Sequence, residues 1–192
     1  MGEHELKIEK GKTALVVIDL QIGITGMQAV PYDSATVIKN AARLAESFRK
    51  NSMPVVLVHV MGSPAEMLTP IADEQISFSG ERPKNWGDFV PELGLKETDI
   101  TITKKQWGAF YGTDLDLQLR RRGVSTIVLC GIATNIGVES TARFAYEYGY
   151  QQIFAEDATA ARSAEEHAGT FNHIFKRIGR VRKTDEILEA LG

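Results

Sequence analysis

Three positions in this chain pair residue type with placement in a way that suits proton transfer or anion stabilisation: Asp19, Lys104 and the turn around Gly137. Asp19 closes the apolar run ALVVID. A carboxylate at the tip of a buried strand loses hydration, which raises its pKa and keeps a proton available for general acid chemistry. The same carboxylate serves equally well as an acceptor for loop N–H groups. Lys104 ends the run ITITK, with Lys105 behind it. An ammonium there can lower the pKa of a neighbouring carboxyl or steady a developing anion, whereas an ordinary strand-end lysine carries its head out to water.

The stretch 129–150, LCGIATNIGVESTARFAYEYGY, passes from an apolar strand through a short polar turn into a helix. Thr134, Asn135, Ile136 and Gly137 fall at that junction, where unpaired backbone N–H groups favour an anion or oxyanion. A Ser or Cys at position 137 would complete a hydrolase elbow. Glycine cannot attack a substrate.

Other reactive residue types are less informative. Trp107, Phe110 and Tyr111, in WGAFYGTDL, suit the wall of an apolar pocket for a small ring, and equally the packing of a core. Cys130 is the sole cysteine, so an internal disulfide is excluded; it sits within a strand, where a buried inert thiol is the expected state. The four histidines have no ligand spacing: His4 is in the tail, His59 stands alone in a strand, and His167 and His173 lie about 240° apart around one helix.

These residues need a scaffold that brings distant strand ends together. Val- and Ile-rich runs at 13–19, 54–60, 99–104, 126–130, 152–156 and 180–182 predict strands, and segments of helical spacing at 34–50, 114–122, 135–148, 164–178 and 185–191 alternate with them. Continuous apolar strands alternating with helices predict an α/β fold with a parallel sheet covered on both faces. Asp33 or Ser34 suits the N-cap of the first long helix, Thr113 or Asp114 that of the next, and Gly123 and Gly149 suit left-handed C-caps. Residues 21–32 and the proline-rich 61–98 fit no regular element; the second is long enough for a binding loop. One domain over 1–192 is expected.

With 192 residues, 43% hydrophobic and 24% charged, the chain can bury a sizeable core. A net charge of −3 with interspersed signs favours neither nucleic acid nor an anionic membrane surface. The run Arg120, Arg121 and Arg122 closes a helix, where cations complement the terminal carbonyls. The charged start MGEHELKIEKGK carries no apolar leader pattern and no apolar run reaches about 18 residues, so a cytoplasmic location is expected.

Taken together, ALVVIDLQ, ITKKQWGAFYGTDL and GIATNIGVESTAR resemble the isochorismatase-like hydrolase family, which also includes nicotinamidases and N-carbamoylsarcosine amidohydrolases. The resemblance spans nearly the whole chain. It implies a three-layer α-β-α Rossmann-like fold with a six-stranded parallel sheet in the order 3-2-1-4-5-6. It places the active site on Asp19, Lys104 and the turn residue, usually Cys and here Gly137, with Gln21, Ala133, Thr134, Trp107, Phe110 and Tyr111 as substrate contacts. It also implies a cis peptide between Ile132 and Ala133, with the Ala133 and Gly137 N–H groups converging on an oxyanion. That strand order sets Lys104 two strand spacings, about 10 Å, from Asp19.

The glycine separates this chain from thiol-dependent amidases of the family, and HVMGSP stands where nicotinamidases carry their Asp-x-His metal motif. The expectation is a cofactor-free, metal-free hydrolase of an enol ether or similar small carboxylated metabolite, with Asp19 as general acid and Lys104 in support. A homo-oligomer is implied by the same resemblance. A non-catalytic metabolite binder on this fold is the alternative, and an amidase using Cys130 a third.

Overall fold

The central apolar runs form strands buried on both faces, whereas the edge runs at 100–104 and 180–182 are only partly covered. The computed structural model describes residues 6–63, 65–74 and 82–192; His4 and Pro64 lie outside them. The strands are β1 (Thr13–Ile18), β2 (Val55–Val60), β3 (Ile100–Lys104), β4 (Thr126–Ile132), β5 (Gln151–Ala160) and β6 (Arg180–Arg182). They make one parallel sheet in the order β3-β2-β1-β4-β5-β6. The helices are α1 (Ile22–Thr25), α2 (Ser34–Lys50), α3 (Leu115–Arg121), α4 (Glu139–Glu147), α5 (Ala164–Thr170), α6 (Lys176–Ile178) and α7 (Thr184–Leu191).

Period-two alternation along β1 divides the interior into two cores. Leu15 and Val17 pack with Val37, Ala41, Leu44 and Phe48 of α2 and with Ile187 and Leu191 of α7. Ala14, Val16 and Ile18 face the other way, toward Leu115 and Leu119 of α3, Ala142 and Ala145 of α4, and Phe175. This is the three-layer arrangement implied by the sequence. Asp33 caps α2 by accepting from the Thr36 N–H at 2.7 Å, while before α3 it is Thr113 Oγ1, not the Asp114 carboxylate, that accepts from the Leu115 N–H at 3.2 Å. Gly123 and Gly149 take the positive φ of left-handed caps, 68° and 79°. Among the described residues no helix is long and apolar enough to cross a membrane.

The boundaries differ from expectation where the backbone is irregular. β4 continues past Cys130 to Ile132, and β5 continues past Glu156 to Ala160. A register shift between Leu129 and Gly131 allows this, because it brings Thr159 and Ala160 opposite Gly131 and Ile132. The helix expected at 135–148 opens with a π-helical turn, Thr134–Val138, and that expected at 164–178 is interrupted by another, Phe171–Phe175. Within 21–32 the chain forms α1, a cis Val30–Pro31 bond and a bridge from Val30 to Ala161.

Neighbouring strands β1 and β4 lie where the order of connections reverses, the place at whose carboxyl ends ligands bind in open α/β sheets. Gly131 makes their close approach there feasible. Its φ is 124°, and a Cβ on it would stand 2.0 Å from the Ile18 carbonyl oxygen.

Candidate active site

Asp19 leaves β1 with a φ of 53°, a left-handed conformation that L-residues other than Asn and Asp seldom adopt. Its N–H still donates to the Val58 carbonyl at 2.9 Å, so the turn begins only at the side chain's own residue. The carboxylate meets Lys104: Nζ stands 2.8 Å from Oδ2, with the two side chains only 2% and 8% exposed. Lys104 also donates to the Gln106 carbonyl at 3.1 Å. The lysine stem thus spans the end of β2, which closes the 10 Å gap expected from strand order.

The second carboxyl oxygen, Asp19 Oδ1, is enclosed and has no hydrogen-bond partner among the described residues. Burial drives the Asp19 pKa above its ordinary value of 3.8, and the charge and hydrogen bond of Lys104 pull against that rise without cancelling it. A raised carboxyl pKa with one oxygen unsatisfied favours a protonated acid whose O–H has nothing in the protein to bind. Such a group is suited to give its proton to a ligand.

Gly137 completes the arrangement. A Cβ built on it would lie 3.0 Å from Asp19 Oδ2 and 3.0 Å from Ile18 Cγ2, and 3.5 Å from the Trp107 carbonyl oxygen. The turn residue, the acid and the lysine therefore adjoin one another, and the missing side chain is what lets Asp19 close on the turn. The bond between Ile132 and Ala133 is cis. The Ala133 carbonyl accepts from the Ile136 and Val138 N–H groups at 3.1 and 3.2 Å, and Thr141 Oγ1 donates to the Gly137 carbonyl at 2.7 Å while accepting from the Ala109 N–H at 3.0 Å. These bonds anchor the turn to α4 and to the loop after β3.

The other expected contacts divide. Gln21 is fully buried, and its carboxamide is consumed by backbone: Oε1 accepts from the Val60 N–H at 2.8 Å, and Nε2 donates to the Val60 and Trp86 carbonyls at 3.2 Å each. It braces the end of β2 and the 86–90 segment instead of presenting a polar group to the crevice. Phe110 belongs to the core, stacked in tilted contact with Tyr148 and Tyr150 at 5.4 and 5.8 Å, because α4 covers it. Trp107 and Tyr111 are exposed. Thr134 is buried, and its hydroxyl lies 2.9 Å from His167 Nδ1.

Two side chains stand out only after folding. His59, isolated in sequence, donates from Nδ1 to the Gly87 carbonyl at 2.6 Å, lies 2.8 Å from Thr103 Oγ1 and stacks on Phe89. It ties β2 and β3 to the segment that borders Asp19. His167 is the other; nothing but the absence of metal partners marked it in the sequence. Cys130 is sealed in the core, and burial pushes its thiol up to about 12, a protonated and unreactive state. Among the described residues no group of three or more His, Cys, Asp or Glu side chains is placed to hold a metal ion.

The geometry agrees with what comparisons show. Residues 13–186 match the Isochorismatase domain. The chain is 56% identical over 189 residues to the uncharacterized isochorismatase family protein YwoC of Bacillus subtilis, covering 97% of each. It is 52% identical over 188 residues to the uncharacterized family member YecD of Escherichia coli O157:H7, covering 97% of this chain and all of that one. An isochorismatase family protein of Burkholderia thailandensis has the same fold, with a TM-score of 0.91, 42% identity and coverage of 96% and 97%. With the sheet order as implied, the strand-end acid, lysine and turn adjoining one another and the sequence match running nearly end to end, this chain belongs to the isochorismatase family.

Proposed function

We propose that the protein is a hydrolase that cleaves the enol ether of a small carboxylated metabolite without a cysteine nucleophile. The observation that carries this reading is the buried Asp19–Lys104 pair, 2.8 Å apart, pressed against a glycine where a thiol would otherwise attack. Enol ether cleavage needs a proton on carbon and then water. It needs no covalent nucleophile.

In this reading Asp19 donates its proton to the terminal vinyl carbon of an enolpyruvyl group, and the ether oxygen shares the developing positive charge. Water adds to the carbon bearing that oxygen and returns a proton to Asp19. The hemiketal collapses by breaking the carbon–oxygen bond, so the alcohol leaves with a proton and a 2-keto acid remains. Lys104 steadies the carboxylate that appears once Asp19 has given up its proton. The Ala133 and Gly137 N–H groups supply donors for the substrate's carboxylate or departing oxygen. Exposed Trp107 and Tyr111 offer apolar surface for a ring. Self-association belongs to the same reading, and light scattering tests it.

The test is release of pyruvate from isochorismate by the purified protein and by Asp19→Asn. Turnover by the wild type that the substitution abolishes supports the mechanism; equal turnover by both would sink it. The glycine also favours a second reading, a metabolite binder without chemistry. Thermal-shift stabilisation by carboxylated ring compounds with no product at any pH would select it.

A further inference from the structure

A second cluster of titratable side chains adjoins the 134–138 turn at Thr134, and the reaction above makes no use of it. Its centre is His167 on α5, 3% exposed, with its ring stacked on Phe171 at 4.5 Å and edge-on to Tyr32 at 6.1 Å. Nδ1 lies 2.9 Å from the hydroxyl of Thr134, the first residue of the turn. Nε2 is enclosed, 3.8 Å from Glu156 Oε1 and without a hydrogen-bond partner among the described residues.

The charged and titratable groups around the ring hold one another. Glu156, on β5, accepts from Tyr32 Oη at 3.2 Å and pairs with Lys183. Lys183, just before α7, also donates to Tyr32 Oη at 2.6 Å. The imidazole is thereby flanked by β5, by the segment before α2 and by its own helical segment, and Lys183 holds the first two together.

A buried threonine hydroxyl needs one partner, and backbone carbonyls usually supply it. Here the partner is a ring flanked by three separate parts of the chain. With its hydrogen on Nε2, toward Glu156, the neutral ring accepts the Thr134 O–H at Nδ1. The turn is then held at its start by His167 and at its end by Thr141, which binds the Gly137 carbonyl at 2.7 Å. Between these two anchors stand Asn135, Ile136 and Gly137, whose position against Asp19 defines the crevice.

We propose that His167 is a positioning residue: through Thr134 it fixes where the backbone of residues 134–137 stands relative to Asp19, and so sets turnover without touching substrate. The consequence for rate rests on the hydrolase reading; the consequence for the turn does not.

Three substitutions separate the ring's two edges. His167→Asn keeps a polar atom in the place of Nδ1, His167→Gln moves it toward the place of Nε2, and His167→Phe supplies neither. The turn itself is read by the backbone amide resonances of Gly137 and Val138. They are expected to stay in place in His167→Asn and Thr134→Ser, and to move in His167→Gln, His167→Phe and Thr134→Val. In the turnover assay, misplacement of the turn lowers kcat about 100-fold at nearly constant KM in the second group. His167→Asn retains most of the wild-type kcat. If His167→Phe does not fold, Thr134→Val carries the same contrast. Unmoved turn amides in Thr134→Val, or amides displaced as far in His167→Asn as in His167→Gln, would overturn the proposal. Variant amides that shift as expected beside a wild type that turns nothing over refute the hydrolase reading alone.

Discussion

The molecule contains two carboxylate–lysine pairs beside one turn, and they are built for different work. Asp19 and Lys104 are dry: a few per cent exposed, 2.8 Å apart, with one carboxyl oxygen left unsatisfied and the acid's pKa driven up by burial. Glu156 and Lys183 are wet, with side chains 25% and 47% exposed and both ends engaged by Tyr32. The functional groups are the same, a carboxylate and an ammonium. What differs is solvent and satisfaction: exposure and an extra donor surround the second carboxylate, while burial disfavours the charged form of the first and leaves one of its oxygens without a partner.

That contrast fails most visibly if the carboxylates prove interchangeable. Asp19→Asn is expected to lower kcat about 10²- to 10⁴-fold, the range for a lost general acid. Glu156→Gln, in the same pyruvate-release assay, should leave most of the activity. Comparable losses from both would erase the distinction between a reacting pair and a supporting one.

The lysines sharpen it through stability. Lys104→Met strips a buried partner and is expected to cost about 3–5 kcal/mol in denaturant unfolding, the range for a broken buried pair. Lys183→Met removes a half-exposed charge and should cost about 0–1 kcal/mol. A smaller change is expected from Gly137→Ala: its methyl group would press on Asp19 Oδ2 and Ile18 Cγ2 at 3.0 Å, an overpacking worth about 1–3 kcal/mol. Its kcat should fall further than its stability suggests, because the atom displaced is the acid's own.

The smallest effect is a pH dependence on the wet side. Burial lowers the His167 pKa below its ordinary 6.5, with Glu156 opposing the shift. The unfolded chain therefore binds this proton more readily than the folded one. The stability associated with the neutral ring is full above pH 6.5 and declines as pH falls through the lower folded value. Urea unfolding midpoints measured from pH 7.5 downward should show that decline in the wild type and a flatter profile in His167→Asn.

Much of this was legible in the sequence because burial on both faces writes continuous apolar strands. Asp19 and Lys104 could be singled out since a charge ending such a run is costly unless paired, and Gly137 since a strand-to-helix turn exposes its backbone. The limits were equally physical. The strands run past the expected ends at 130 and 156 because a register shift leaves no periodic signature, and the π-helical turns at 134–138 and 171–175 keep helical residue types while altering their bonding. Gln21 looked like a substrate contact because a polar residue at a strand end reads the same whether it faces a ligand or splints backbone. Phe110 and Trp107 share a motif, yet one is buried under α4 and the other exposed, a difference fixed by packing between distant segments. His167 carried no local signal, since its partners come from residues 32, 134, 156 and 183.

The protonation of Asp19 can be read directly by following its carboxyl carbon in 13C NMR as pH is raised. A titration midpoint clearly above 3.8, moving lower when Gly137→Ser brings a hydroxyl donor toward Oδ2, is the expected result. A midpoint at or below 3.8 in the wild type would mean that the Lys104 charge outweighs burial, and the dry pair would then be a fixed ion pair with no proton to give.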